Sequence, residues 1–178
     1  MAAVSPSNAL QIVASELATA LVIDTQQLDA VTAELANTNR RWFTAGQGRS
    51  GLVAAMTAMR LMHLGYDTHL VGESTAPSIR SGNGIIVFSR SGGTPISVSQ
   101  ARTAKNEGAV VLAITENADS DLTRLATAVL QVPSGPSQQF GGSRFEQSSL
   151  VISDAIVLAL ASRNGHHQEM QYRHTNLH

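Results

Sequence analysis

The sequence predicts an α/β fold. In it a five-stranded parallel sheet lies between two helical layers, wound in the flavodoxin-like, doubly wound manner and preceded by two N-terminal helices. Three observations predict it. Five short runs, 42–45, 67–71, 85–88, 109–114 and 128–132, alternate with segments of helical character, an order that yields parallel strands and right-handed crossovers. The runs are short and apolar, as expected of strands covered on both faces. Two glycine-rich turns, at 46–51 and 89–94, each follow such a run and open a helix.

The elements follow in order. Leu10, Val13, Leu17 and Leu21, then Leu28, Val31 and Leu35, recur at helical spacing. They predict helices over 7–22 and 26–37, with Asp24 and Thr25 able to cap the second. Trp42–Ala45 is the first strand, ended by Gly46-Gln47-Gly48. The helix over 50–64 stops at Gly65. Strand 67–71 leads into a loop over 72–81 that contains Pro77. After strand 85–88, Pro95 suits the first turn of a helix over 95–107, because its missing N–H is not needed there. Strand 109–114, a short helix opened by Ser120-Asp121-Leu122, and strand 128–132 complete the sheet. Residues 134–142, rich in Gly, Pro, Ser and Gln, form a loop. The helix over 145–162 carries Leu150, Val151, Ile152, Ile156, Val157, Leu158 and Leu160 around nearly its whole circumference. Such a helix is covered all round, by the core or by a partner subunit. The polar tail from Asn164 holds four of the six histidines.

Composition bounds the function. The chain has 178 residues, enough for one domain with a covered sheet. It is 43% hydrophobic and only 14% charged, so subunit interfaces are expected beside the core. A net charge of −1 gives no reason to invoke nucleic acid or an acidic membrane surface. There is no cysteine, which excludes disulfides, thiolate catalysis and Cys-ligated metals. Lys105 is the only lysine and falls within a helix, a poor place for a Schiff base. The first cationic side chain is Arg40, so no secretory n-region is evident. No uninterrupted apolar stretch looks long enough to span a bilayer. The expected location is the cytoplasm.

The chemistry concentrates in the two turns. Ser89-Arg90-Ser91-Gly92-Gly93-Thr94 offers hydroxyl donors, glycines that allow close backbone approach and a helix N-terminus, which together suit a small phosphorylated ligand. Gly46-Gln47-Gly48-Arg49-Ser50-Gly51 matches the dinucleotide fingerprint by letter, with Glu73 past the next strand as the ribose-binding acid. The chain is short for such an enzyme, and Arg49 suits direct phosphate binding instead. In parallel sheets ligands bind beyond the carboxyl ends of strands, so both turns can meet one ligand if their strands are neighbours. Glu146 opens an apolar helix directly after a glycine-rich loop, where a carboxylate is partly desolvated and suits a general base. His63 ends a helix before Gly65, a position that also complements a helix dipole. His166, His167, His174 and His178 lack an accompanying Asp or Cys, so no metal site is expected. Asp154 is expected to be a partnered interface acid.

These residues resemble a known family. The Ser89–Thr94 turn is similar to the phosphosugar-binding signature of sugar isomerase (SIS) domains. The resemblance extends to the 6-phospho-3-hexuloisomerase branch through the stretches 46–51, 58–65, 71–77 and 145–148, and through Tyr172-Arg173-His174-Thr175-Asn176-Leu177. Gln47, Arg90 and His178 depart from the pattern. The resemblance implies a three-layer α/β/α SIS domain over 41–163. Residues 1–40 would pack on that domain or on a partner subunit, and 164–178 would form a tail that can act as an intersubunit arm. It implies a homotetramer (or dimer) without cofactor or metal. The implied reaction interconverts arabino-3-hexulose 6-phosphate and fructose 6-phosphate in the ribulose monophosphate route of formaldehyde fixation, after 3-hexulose-6-phosphate synthase. Within it Glu146 is the expected base and His63 the expected acid. Gly48, Arg49, Ser50, Ser89, Ser91, Gly92, Gly93 and Thr94 are expected to hold the phosphate, and His174 to reach a neighbouring subunit's site. The alternatives are an isomerase of arabinose 5-phosphate or sedoheptulose 7-phosphate, and a non-catalytic sugar-phosphate sensor. A sensor that regulates transcription would carry a basic DNA-binding segment, and residues 1–40 hold one cation, Arg40.

Overall fold

Strands β1 (Trp42–Gly46), β2 (Thr68–Leu70), β3 (Gly84–Phe88), β4 (Val110–Thr115) and β5 (Ala128–Gln131) form one parallel sheet in the order β2-β1-β3-β4-β5. The computed structural model describes residues 4–133, 135–164 and 167–176. The helices are α1 (Pro6–Ala20), α2 (Thr25–Leu35), α3 (Arg49–His63), α4 (Pro95–Asn106), α5 (Ser143–Asn164) and α6 (His167–Tyr172), with a short 3-10 turn at Thr123–Leu125. The predicted class, a five-stranded parallel α/β sheet, is the one observed.

The central strands are apolar because both of their faces are covered. Trp42, Ile86, Phe88, Leu112 and Ile114 face one core with side chains of α2, α3 and α5. The alternate residues, Phe43, Ala45, Ile85, Val87, Val111 and Ala113, face a second core with Ala101 and Ala104 of α4 and Leu122. Edge strands β2 and β5 are only partly buried. The two layers are unequal, since residues 71–83 cross from β2 to β3 without a helix and contribute only Val71, Ala76 and Ile79 to the second core.

Three expectations are corrected. Leu10 is 70% exposed, and α1 buries only Ala20. Helix α5 is not covered all round: Ile152, Ile156, Val157 and Leu160 are buried, while Val151 and Leu158 are exposed. By length and hydropathy α5 also passes for a bilayer-crossing helix, but its apolar run is interrupted by Asp154 and half of the window is buried, as in a core helix. The tail contains α6, which docks by placing Met170 against the first core. His166 and His178 lie outside the described residues.

Candidate active site

The site arises where β1 and β3 end. Their register pairs Gly46 with Phe88, so the turns that leave them lie side by side on the carboxyl rim of the sheet. Each turn runs into a helix whose first N–H groups have no intrahelical partner. Helices α1 and α2 are capped by the side chains of Ser5 and Asp24. At α3 and α4 the capping positions, Gly48 and Thr94, make no such bond. Two adjacent helix N-termini thus bring N–H groups and partial positive charge to one place, a disposition that favours an anion.

Hydroxyls line the same place. Ser89 Oγ donates to Thr94 Oγ1 at 3.3 Å, and the Gly93 N–H donates to Ser91 Oγ at 3.2 Å. Ser50 and Ser89 are buried. Gly92 has φ 65°, and a β-carbon there would stand 2.1 Å from Ser120 Oγ, so both conformation and space demand glycine.

Glu146 joins this rim from the first turn of α5. Phe145, fully buried, anchors the turn. The Glu146 side chain is 12% exposed, and its Oε2 accepts a hydrogen bond from Arg49 Nε at 3.1 Å; Arg49 itself is 59% exposed. A β-carbon on Gly142 would lie 2.8 Å from Glu146 Oε1 and 3.1 Å from Arg90 Nε. Glycine at 142 therefore lets the carboxylate and the Arg90 side chain close over the loop.

Two further charged residues were not anticipated. Glu116, just past β4, lies 3.7 Å from Arg90 Nη1. Burial raises its pKa above 4.5, opposed by Arg90 and Arg144 and reinforced slightly by Glu146. Arg144 is buried, and its Nε has no hydrogen-bond partner among the described residues. With Arg90, Glu116 and Gly142 it lines a cleft of about 60 Å³. Arg49, Arg90 and Arg144 outnumber Glu116 and Glu146 by one, so this rim can accommodate added negative charge. A signal for Glu116 existed in the sequence, since it follows a strand end. Arg144 gave no local signal beyond its nearness to Glu146.

His63 is not at this rim. It ends α3, which starts at Arg49 and spans about 20 Å. The helix runs away from the site, so His63 lies toward the amino rim. The ring is buried there and stacks on His174, centroids 5.3 Å apart and planes 16° apart. Arg173 Nη1 donates to the His63 carbonyl at 3.3 Å. Burial, then Arg60 and His174, lowers the His63 pKa below 6.5. His174 thus meets a histidine of its own chain. Glu73, which a ribose-binding role would require at the rim, pairs with His69 at 2.8 Å. Asp154 lies 3.8 Å from Arg60, with both half exposed rather than buried. Lys105 Nζ donates to the Arg124 carbonyl and is remote from the two turns. No cluster of three or more His, Cys, Asp or Glu suited to a metal occurs among the described residues.

Comparison with known proteins adds to this geometry. The SIS domain family model matches residues 34–164. A Mycobacterium gastri protein named 3-hexulose-6-phosphate isomerase is 39% identical over 96% of this chain and 90% of its own length. A Bacillus subtilis protein of the same name is 38% identical over 74% of this chain and 76% of its own. Among solved structures, a Methanococcus jannaschii protein whose structure infers a molecular function of 3-hexulose-6-phosphate isomerase superposes with a TM-score of 0.83 at 27% identity, covering 95% of this chain and 98% of that one.

Proposed function

The chain belongs to the SIS domain family, and we propose from that premise that it is a 3-hexulose-6-phosphate isomerase, interconverting that sugar phosphate and fructose 6-phosphate. The observation that carries this reading is the meeting of two uncapped helix N-termini with a sheltered carboxylate on one rim.

In this scheme the phosphoryl group caps α3 and α4. Its oxygens take N–H groups of both turns and the hydroxyls of Ser50, Ser89, Ser91 and Thr94, with Gly48, Gly92 and Gly93 allowing the approach and Arg49 adding charge. Binding at the phosphate holds carbons 2 and 3 of the open-chain sugar beside Glu146, and that remote binding energy is what orients them. Glu146 removes the proton from C2 of the 3-hexulose. The C–H electron pair becomes the C2–C3 double bond of a cis-enediol as O3 gains a proton. Glu146 then returns its proton to C3, and O2 loses its proton to restore a carbonyl at C2. Electrons only relocate within the sugar, so the scheme needs no external oxidant or reductant.

A proton carrier between O2 and O3 is the role given to His63, neutral near pH 7 and able to act as donor or acceptor in turn. Within one chain it is out of reach, so the reading places His63, with His174 behind it, at the site of a second copy. The exposed Leu52, Met56 and Met59 on α3, with Val151 and Leu158 on α5, support an assembly that would bring copies together. We propose a homotetramer or dimer in the cytoplasm, supplied by a hexulose-phosphate synthase.

The decisive assay offers 3-hexulose 6-phosphate, arabinose 5-phosphate and sedoheptulose 7-phosphate separately, with and without chelator. Fructose 6-phosphate formed from the first, unaffected by chelator, is the expected result. Turnover of either other sugar with the first inert would replace the substrate, and binding without turnover would make the protein a sensor.

A further inference from the structure

The Ser89–Thr94 turn owes its shape to more than its own internal hydrogen bonds. Its carbonyls are also fixed from outside, by the last residue of β4 and the residues that follow it. Thr115, wholly buried, donates from Oγ1 to the Arg90 carbonyl at 3.1 Å, and the Glu116 N–H donates to the same oxygen at 3.1 Å. Asn117 Nδ2 donates to the Ser91 carbonyl at 3.3 Å. The Leu122 N–H donates to the Gly92 carbonyl at 3.0 Å. Three consecutive carbonyls are thus engaged by one short segment. The N–H groups of Arg90, Ser91 and Thr94, by contrast, donate to no acceptor among the described residues.

A peptide carbonyl and the N–H of the same peptide plane point in opposite directions. Tying carbonyl 90 to the β4 side therefore commits the Ser91 N–H, which shares its peptide plane, to the other side. Tying carbonyls 91 and 92 holds the Gly92 N–H on the Ser89 carbonyl at 3.1 Å and the Gly93 N–H on Ser91 Oγ at 3.2 Å, closing the turn around the free N–H. A carbonyl that swung back would set its negative end against a phosphoryl oxygen. We infer that Thr115 and Asn117 are positioning residues that set the polarity of the anion cradle, so that phosphoryl affinity depends on side chains that touch no ligand. Thr115 is also the acceptor for the Asn117 N–H at 3.1 Å, so the two act as one unit.

The inference rests on the cradle proposed above, and the test separates the two. Binding of inorganic phosphate and steady-state kinetics with the sugar phosphate are measured for the wild type, Thr115→Val, Thr115→Ser and Asn117→Ala, at temperatures where thermal melts show each fully folded. The exposed Asn117 can be truncated without disturbing the core. Asn117→Ala and Thr115→Val are expected to weaken phosphate binding and raise KM about fivefold, the worth of one hydrogen bond, with kcat nearly unchanged. Thr115→Ser, which keeps the hydroxyl, should restore wild-type binding. If Thr115→Val does not fold, Asn117→Ala alone decides. Wild-type phosphate affinity in the folded variants, or a loss in kcat with KM unchanged, overturns the inference while leaving the cradle intact. A wild type that binds no phosphate overturns the cradle and the inference with it.

Discussion

The two rims of the sheet present opposite chemistry. At the carboxyl rim α3, α4 and α5 begin, and there the protein gathers uncapped N–H groups, Arg49, Arg90 and Arg144 around Glu146. At the amino rim α3 ends, and its terminal carbonyl is met by Arg173 while His63 and His174 stack beside it. Helix polarity explains the difference: N-termini carry partial positive charge and suit phosphate, whereas C-termini carry partial negative charge and suit cations. The lesson is that one helix, α3, presents uncapped N–H groups at its first turn and a histidine at its last, which one chain cannot bring to the same ligand.

The largest effect expected is at the carboxyl rim. Glu146→Gln should lower kcat by about a thousandfold, within the range of lost general-base catalysis, with sugar-phosphate binding nearly kept. Steady-state kinetics and titration calorimetry read the two parts. Near-normal turnover would separate the carboxylate from the chemistry. At the amino rim, His63→Ala should cost about a hundredfold in kcat. Mixing His63→Ala with Glu146→Gln subunits should regain part of the activity, because hybrid assemblies would contain some intact sites. Mixtures no more active than their parents would confine each rim's chemistry to its own chain.

A smaller effect sharpens the contrast in charge. Arg49→Ala should raise KM about tenfold through loss of a charge-assisted contact to phosphate, more than it lowers kcat. The least effect is on stability. The buried His63 binds its proton less readily folded than unfolded, so the stability it contributes is present above pH 6.5 and lost as pH falls through its lowered folded value. Denaturant melts across that window should show a decline in the wild type that is reduced in His63→Asn. An equal decline in both would place the sensitivity elsewhere.

Much of this was legible in the residues. The strand–glycine–helix grammar of 42–51 and 85–95 located both turns on one rim, and their neighbouring strands bring them together. Glu146 was legible because a loop and an apolar run bracket it. The supporting shell was not, since Thr115, Glu116 and Asn117 act on a turn some 25 residues earlier in the chain through backbone carbonyls, which carry no side-chain signature. His63 was placed by its type, although the length of the helix between it and Arg49 already set it apart. Helix α6 escaped notice because it is short and polar, held by Met170 and Arg173 rather than by a periodic apolar face.

The central claim is that Glu146 moves a proton between adjacent sugar carbons while the neighbouring turns hold the phosphate. Solvent deuterium exchange at C3 of fructose 6-phosphate, followed by NMR, tests it most directly. The wild type should incorporate deuterium there, and Glu146→Gln should bind the sugar phosphate yet incorporate none. Exchange by Glu146→Gln at the wild-type rate would contradict the account.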